Sequence, residues 1–292
     1  MSERRRGRAW STAVLVVAAA ALVTASVWVS SGGAGGSVAS RGKPNRSTTT
    51  TTVPPPPMPE GFDTCSAPST TTMATWKASS PYTSAGIYIG GANAACVNVT
   101  SGWITTVEGQ GWKLAPLYVG LQAPGPNYCS NFVNSFSLDP GWAAVQGLAA
   151  GDDAATKGLA LGLPWLTPIY FDLEGYNSTL LGCTTAVRNF VNGWVYQLHV
   201  KGYRAGLYSS SASGIKDEAA TYGNPSWYQI DGIWFANWDG RISVFGDPFF
   251  SDTVWPNHQR LHQFRGGHDE TWGGITVNVD TSAVDGILVP HE

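Results

Sequence analysis

Residues 168–174 read Pro-Ile-Tyr-Phe-Asp-Leu-Glu, and Gly175 follows. A short run of apolar and aromatic residues bounded by Pro and Gly has the composition of a strand. Alternate side chains of a strand share a face, so Tyr170, Asp172 and Glu174 are expected on one side and Ile169, Phe171 and Leu173 on the other. The second set is wholly apolar and needs a covering layer. The first ends in two carboxylates one step apart. Such a strand suits the wall of a closed α/β barrel, with its apolar face against helices and its acids at the inner, C-terminal mouth where active sites of that architecture lie.

Similar runs stand on either side. GFDTC (61–65), GIYIGG (86–91) and KLAPLYVG (113–120) precede it; YRAGLYSS (203–210), GIWFANW (232–238), RLHQFRG (260–266) and VNVDTSAVDG (277–286) follow. Helix-compatible segments lie between them, among them Asp152–Leu163 and Cys183–Val200, whose apolar residues recur at helical spacing. Eight strands alternating with helices or loops over about 230 residues predict a single (β/α)8 TIM-type barrel, with room for irregularity. An open doubly wound sheet is the alternative. No G-x-G-x-x-G or Walker-type loop follows any strand, which removes the main support for a nucleotide or dinucleotide site.

The chain divides by composition before the barrel begins. Arg4, Arg5, Arg6 and Arg8 precede an apolar run from Trp10 to Val29, the pattern of an export signal whose length also suits an uncleaved membrane anchor. Residues 1–30 are therefore read as signal or anchor, and 31–60, rich in Gly, Ser, Thr and Pro, as a disordered linker. The barrel domain is 61–292. Of 17 Lys and Arg and 20 Asp and Glu in the chain, the first sixty residues hold seven and two, so the domain carries a formal charge of −8. Charged residues make up 13% of the chain, against about 25% in an average soluble domain. With neither a basic patch nor basic–aromatic interleaving, nucleic acid is not an expected partner.

Two further acids fall at equivalent places, Asp63 in the first strand and Asp280 in the last. First and last strands are neighbours in a closed barrel, so both are expected beside the mouth. Four carboxylates in one pocket repel one another and are costly unless used. Asp239, Asp269, Glu270 and Asp285 are expected on loops. Tyr88, Tyr118, Tyr208, Trp234 and Trp238 lie on or next to strand ends, where flat rings suit stacking on sugar faces; Tyr170 joins them by facing inward. Trp103, Trp112, Trp142 and Trp194 read as structural residues of helical segments. His258, His262 and His268 form no zinc motif and no nucleophile elbow is present, so neither metal nor cofactor is expected. Cys65, Cys96, Cys129 and Cys183 form no close ligand pair; an even count in an exported chain favours disulfides. Three pairings are open, with Cys65–Cys96 and Cys129–Cys183 favoured because each would join loops after consecutive strands.

The segments GFDTCSAP, GIYIGG, PLYVGLQAPG, IYFDLEGY, GYRAGLYSS, IWFANWDG and LHQFRGG followed by NVDTSAVDG resemble, in this order, the actinobacterial secreted glycoside-hydrolase-like domain family. That family is similar in turn to the Chalaropsis-type (family 25) muramidases. The farther resemblance rests on Asp63, on the Asp172-x-Glu174 pair, on the strand Ile233 to Trp238, on Gln263 and on Asp280. It implies a muramidase-like pocket in which Glu174 is the acid, Asp172 the stabilising or orienting group, and Asp63 and Asp280 supporting carboxylates. The expected function is an exported, extracellular or membrane-anchored glycoside hydrolase acting on peptidoglycan or another envelope glycan. A glycan-binding module that kept the barrel and lost turnover is the alternative. A membrane partner is expected through residues 1–30 if they stay uncleaved.

Overall fold

The computed structural model describes residues 57–290. The leader expected at 1–30 and nearly all of the linker lie outside them. Eight strands close into one barrel in sequence order: β1 (Glu60–Asp63), β2 (Tyr82–Gly90), β3 (Lys113–Tyr118), β4 (Pro168–Leu173), β5 (Arg204–Ser210), β6 (Gly232–Ala236), β7 (Arg260–Trp272) and β8 (Ile275–Asp285). Helices α1 (Thr70–Ser79), α2 (Ser101–Gly109), α3 (Pro140–Ala160) and α4 (Leu181–Val200) connect the first five strands. A short π-helix (Ser211–Ile215) running into α5 (Lys216–Ala219) follows β5.

The alternation predicted for β4 is present. Ile169, Phe171 and Leu173 join the outer core with Phe190 and Trp194 of α4, whereas Tyr170 faces the barrel interior. The interior is filled by pairing large with small residues in layers, as a closed barrel requires. A side chain on Gly86 would meet Asp63 Cβ and Trp234 Cη2, each at 2.7 Å, and one on Gly206 would run into the Tyr170 ring. The end away from the acids is stoppered by the tail after β8. Ile287 and Leu288 pack on the inner cluster, Tyr170 Oη donates to Ile287 O (2.8 Å), and Val289 N donates to Leu114 O (2.9 Å).

Helix α3 begins well before the predicted Asp152. Asp139 caps it by accepting from Trp142 N (2.9 Å), and Pro140 occupies its first turn. Glycine is costly in a helix interior, yet Gly147 and Gly151 lie within α3. Here, with Gly193 of α4, they bring the two helices into close contact: a Cβ on Gly147 would lie 2.0 Å from Phe190 O, and one on Gly193 2.2 Å from Ala144 O. Trp142 is exposed rather than core. Trp112 lies just before β3 rather than in a helix and donates to Met73 O (3.1 Å).

The barrel departs from regular (β/α)8 after β6. The segment 237–259 contains no helix and is tied down by outward-facing side chains of β7. Arg260, 1% exposed, donates to the carbonyls of Val244, Ser251, Val254 and Trp255 and to the Asp252 carboxylate. The His262 ring nitrogens lie on Ser243 O (2.6 Å) and Asn237 O (2.8 Å). Strand β8 then returns antiparallel to both β7 and β1. Gly273 and Gly274, with φ of 57° and 80°, make the two-residue turn between β7 and β8, a conformation that favours glycine at both positions.

Beyond the barrel rim β7 and β8 continue as a ribbon. Its register shifts between Gln263 and Arg265 and again before His268, and the ribbon bends back onto α1. Trp76 Nε1 donates to Ile275 O (3.1 Å), and Tyr82 Oη donates to Glu270 (2.7 Å). The ribbon thus covers Phe62, Trp76 and Tyr82, a flank on which, among the described residues, no helix follows β8. Asp269 and Glu270, expected on loops, are in β7, and Asp285 ends β8; Asp239 does lie in the loop after β6.

Candidate active site

Three strands deliver the four acids to the C-terminal mouth. Asp63 ends β1 and is directly paired with Asp280 of β8. Because β8 runs antiparallel, Asp280 reaches the mouth from the middle of its strand rather than near its end. Asp172 lies on β4 opposite Tyr208 of β5, and Glu174 follows just past the strand. The acids descend from rim to floor. Glu174 is exposed, Asp280 half-buried, and Asp172 and Asp63 are buried. All four border one hollow of about 390 Å³, together with Tyr88, Asn93, Asn278 and the Cys65–Cys96 disulfide, a volume suited to a small-molecule or sugar unit.

Loss of solvent pushes every one of these carboxyls upward, and repulsion from a neighbouring acid adds to it for Asp63, Asp172 and Glu174. Asp63 is pushed to about 8, first by burial and then by the Asp280 charge, against the opposing hydrogen bonds from Gln263 and Tyr88. Asp172 stands well above the carboxylate range through burial, then the charges of Glu174 and Asp63. Its Oδ1 is buried without a hydrogen-bond partner. Glu174 is raised by the poorly solvated, concave mouth and secondarily by Asp280. The residue as a whole keeps contact with solvent, so the desolvation is that of a recess rather than of enclosure. Asp280 is raised by burial and partly relieved by His268, whose Nε2 lies 2.8 Å from Glu270.

A polar network holds the floor. Gln263 Nε2 donates to Asp63 Oδ1 (3.1 Å), while its Oε1 accepts from Tyr208 Oη (2.9 Å) and Trp238 Nε1 (3.0 Å). Tyr88 Oη donates to the other oxygen of Asp63 (3.1 Å). The glutamine thereby links the first-strand acid to an exposed indole, since Trp238 is 66% exposed and rests one face on Gly266.

Gln122, absent from the sequence reading, fixes the acid-bearing end of β4. It is 1% exposed; its Nε2 donates to Asp172 O (2.8 Å) and its Oε1 accepts from Glu174 N (2.8 Å). One side chain thus locks the backbone on both sides of Leu173. The only signal was a lone amide in the otherwise apolar PLYVGLQAPG. Among the described residues no group of three or more His, Cys, Asp or Glu is disposed to hold a metal ion.

A family model described as "Rv2525c-like, glycoside hydrolase-like domain" matches residues 74–284. The chain belongs to this family. The matched span contains Asp172, Glu174 and Asp280, and in this Rv2525c-like domain Asp63 lies outside it. No curated protein matches the chain. Similar solved structures include an uncharacterized B. stearothermophilus protein, 19% identical over 77% of this chain and 95% of that one, with a TM-score of 0.52, which shows the shared fold. The Tat-secreted protein Rv2525c of Mycobacterium tuberculosis, in complex with L-tartrate, is 18% identical over 78% and 95% of the two chains (TM-score 0.48). A bacterial lysozyme from Streptomyces coelicolor is 16% identical over 79% and 93% (TM-score 0.48).

The Rv2525c-like domain brings Tyr88, Tyr208, Trp238 and Gln263 together around the acids but not the other three predicted sugar contacts. Tyr118 has the parity of Leu114 and faces the helices; its ring stacks on Trp194 and its hydroxyl donates to Asp153 of α3 (2.8 Å). Tyr170 faces inward yet lies two residues deeper than Asp172, fully buried on the tail. Trp234 is also buried inside the barrel and donates to Ser282 Oγ (3.0 Å). It floors the pocket beneath Asp63 rather than lining it. The cysteines pair as Cys65–Cys96 and Cys129–Cys183, with Cα separations of 5.4 and 5.6 Å.

Proposed function

We propose that this Rv2525c-like domain, residues 61–292, is an exported glycoside hydrolase acting on peptidoglycan or another cell-envelope glycan. The observation that carries the reading is the group of four raised carboxyls around one hollow, graded from buried Asp63 and Asp172 to exposed Glu174. A carboxyl raised above its ordinary range at the open rim suits a general acid. Glu174 delivers its proton to the glycosidic oxygen as the bond to the anomeric carbon breaks, and water then adds to that carbon and returns a proton to the Glu174 carboxylate. Asp172, whose buried Oδ1 has no protein partner, orients the sugar by hydrogen bonding beside that carbon. Asp63 and Asp280 tune these two, and Trp238 offers a stacking face to the sugar. Two disulfides and an arginine-led apolar N-terminal sequence support export.

Trp238 favours a second reading. An exposed indole braced by Gln263 would serve a glycan-binding module without turnover equally well. The two readings separate on purified peptidoglycan treated with the full chain or with Glu174→Gln, the soluble products being analysed by mass spectrometry. New reducing-end fragments from the wild type alone, with at least a hundredfold loss in the variant, establish hydrolysis. Equal binding by both without product establishes the binding module.

A further inference from the structure

A second hollow of about 560 Å³ lies beside the acids, on the same mouth. Its lining includes Gly175, the residue after Glu174, so the two hollows flank the end of β4. Asn127, Tyr128 and Asn131 of the β3–α3 loop form one wall; Asn177, Ser210 and Ser213 form the other. No charged side chain borders it. Ser213 is 4% exposed, and its Oγ has no hydrogen-bond partner. It belongs to the π-helix after β5, an irregularity often found at functional sites. A Cβ on Gly175 would stand 3.6 Å from Ser210 Cβ and 4.0 Å from Ser213 Oγ, so the absent side chain leaves room beside both serines.

The wall is built rather than loose. Cys129–Cys183 ties the β3–α3 loop to α4, Asn177 N donates to Cys129 O (2.8 Å), and Ser130 Oγ donates to Ala123 O (2.6 Å). Amides and hydroxyls on a fixed surface match the hydroxyl and acetamido groups of a sugar, and preorganisation reduces the ordering cost of binding. A charged unit would lose its water here without gaining a countercharge.

We propose that this hollow is a second sugar subsite, taking an uncharged N-acetylhexosamine or hexose unit adjoining the one at the acids. It rests on the glycosidase reading and adds that the substrate is a polymer lying across Glu174, held on both sides of that residue. Isothermal titration of β-1,4-linked N-acetylglucosamine oligomers, two to six units long, into the full chain tests it. The Glu174→Gln background suppresses turnover. Affinity rises about tenfold or more from dimer to tetramer, and Asn131→Ala/Ser213→Ala abolishes that rise. Ser213→Ala removes only an unpartnered hydroxyl and keeps the thermal midpoint. Gly175→Val, which puts a branched side chain beside Ser210 and Ser213, also abolishes the rise. Absence of oligomer binding, absence of length dependence, an unchanged rise in both variants, or equal affinity for oligogalacturonate overturns the subsite. Peptidoglycan fragments released by the wild type in parallel report on the acids alone, so the subsite can fall while the glycosidase reading stands.

Discussion

Asp63 accepts hydrogen bonds from both Tyr88 and Gln263 and still stands near 8, because burial and the Asp280 charge outweigh them. Its folded-state value therefore exceeds its unfolded one. Between about pH 4 and pH 8 the folded chain holds a proton that the unfolded chain has released, so this contribution is complete at the acid end and lost as pH rises through that window. Glu218, buried beside Asp217 with Oε1 unpartnered, is also pushed to about 8, chiefly by burial. The thermal midpoint is expected to fall from pH 5 to pH 8, and Asp63→Asn and Glu218→Gln each to flatten the fall in differential scanning fluorimetry. Slopes identical to wild type would show both groups ionised in the folded chain. Glu218 lies outside the acid pocket, so only its variant should leave glycan turnover intact. At this scale sequence was a good guide to face and a poor one to depth. Period-two alternation assigns Asp172 and Phe171 to opposite sides, but it does not say that Tyr170 and Trp234 lie below the reach of a ligand. Tyr118 was legible in principle: Ala115 and Leu117 are the inward pair of β3, which turns the tyrosine outward.

Strands β1 to β6 begin within a few residues of their sequence signals because each is a compact apolar run flanked by turn residues. The elements that escaped owe their form to distant partners. Helix α3 runs through Gly147 and Gly151 because α4 needs their small size, a tertiary benefit that exceeds a propensity cost of about 1 kcal/mol each. The loop after β6 replaces a helix because Arg260 and His262 supply, from another strand, the donors that satisfy its carbonyls. The tail after β8 shows no periodicity at all, yet it stoppers the barrel. Ending the chain after Gly286 removes Ile287, Leu288 and Val289, orphans the Tyr170 hydroxyl and bares the inner cluster. A loss of about 3 kcal/mol or more is expected, read as a lower urea midpoint. A midpoint within experimental error of wild type would show that the tail merely lies against the barrel.

Across the whole molecule the mouth joins residues from opposite ends of the domain. Gln263 reaches Asp63 across 200 positions, and Trp76 reaches Ile275 across 199. The two disulfides, by contrast, span 31 and 54 positions, so both fall within the first two-thirds of the chain. A chain ending at residue 259 keeps all four cysteines and six strands but lacks closure, Gln263 and Asp280. It is expected to melt without a cooperative transition and to release no glycan, and a sharp calorimetric peak from it would contradict this. Pairings so remote in sequence form slowly, since a long loop must close before they are rewarded. The antiparallel return of β8 onto β1 therefore acts as a completeness check. A chain leaving its site of synthesis N-terminus first has its earliest acid in place long before that acid has neighbours, and the reactive mouth comes into being only with the arrival of the last strand.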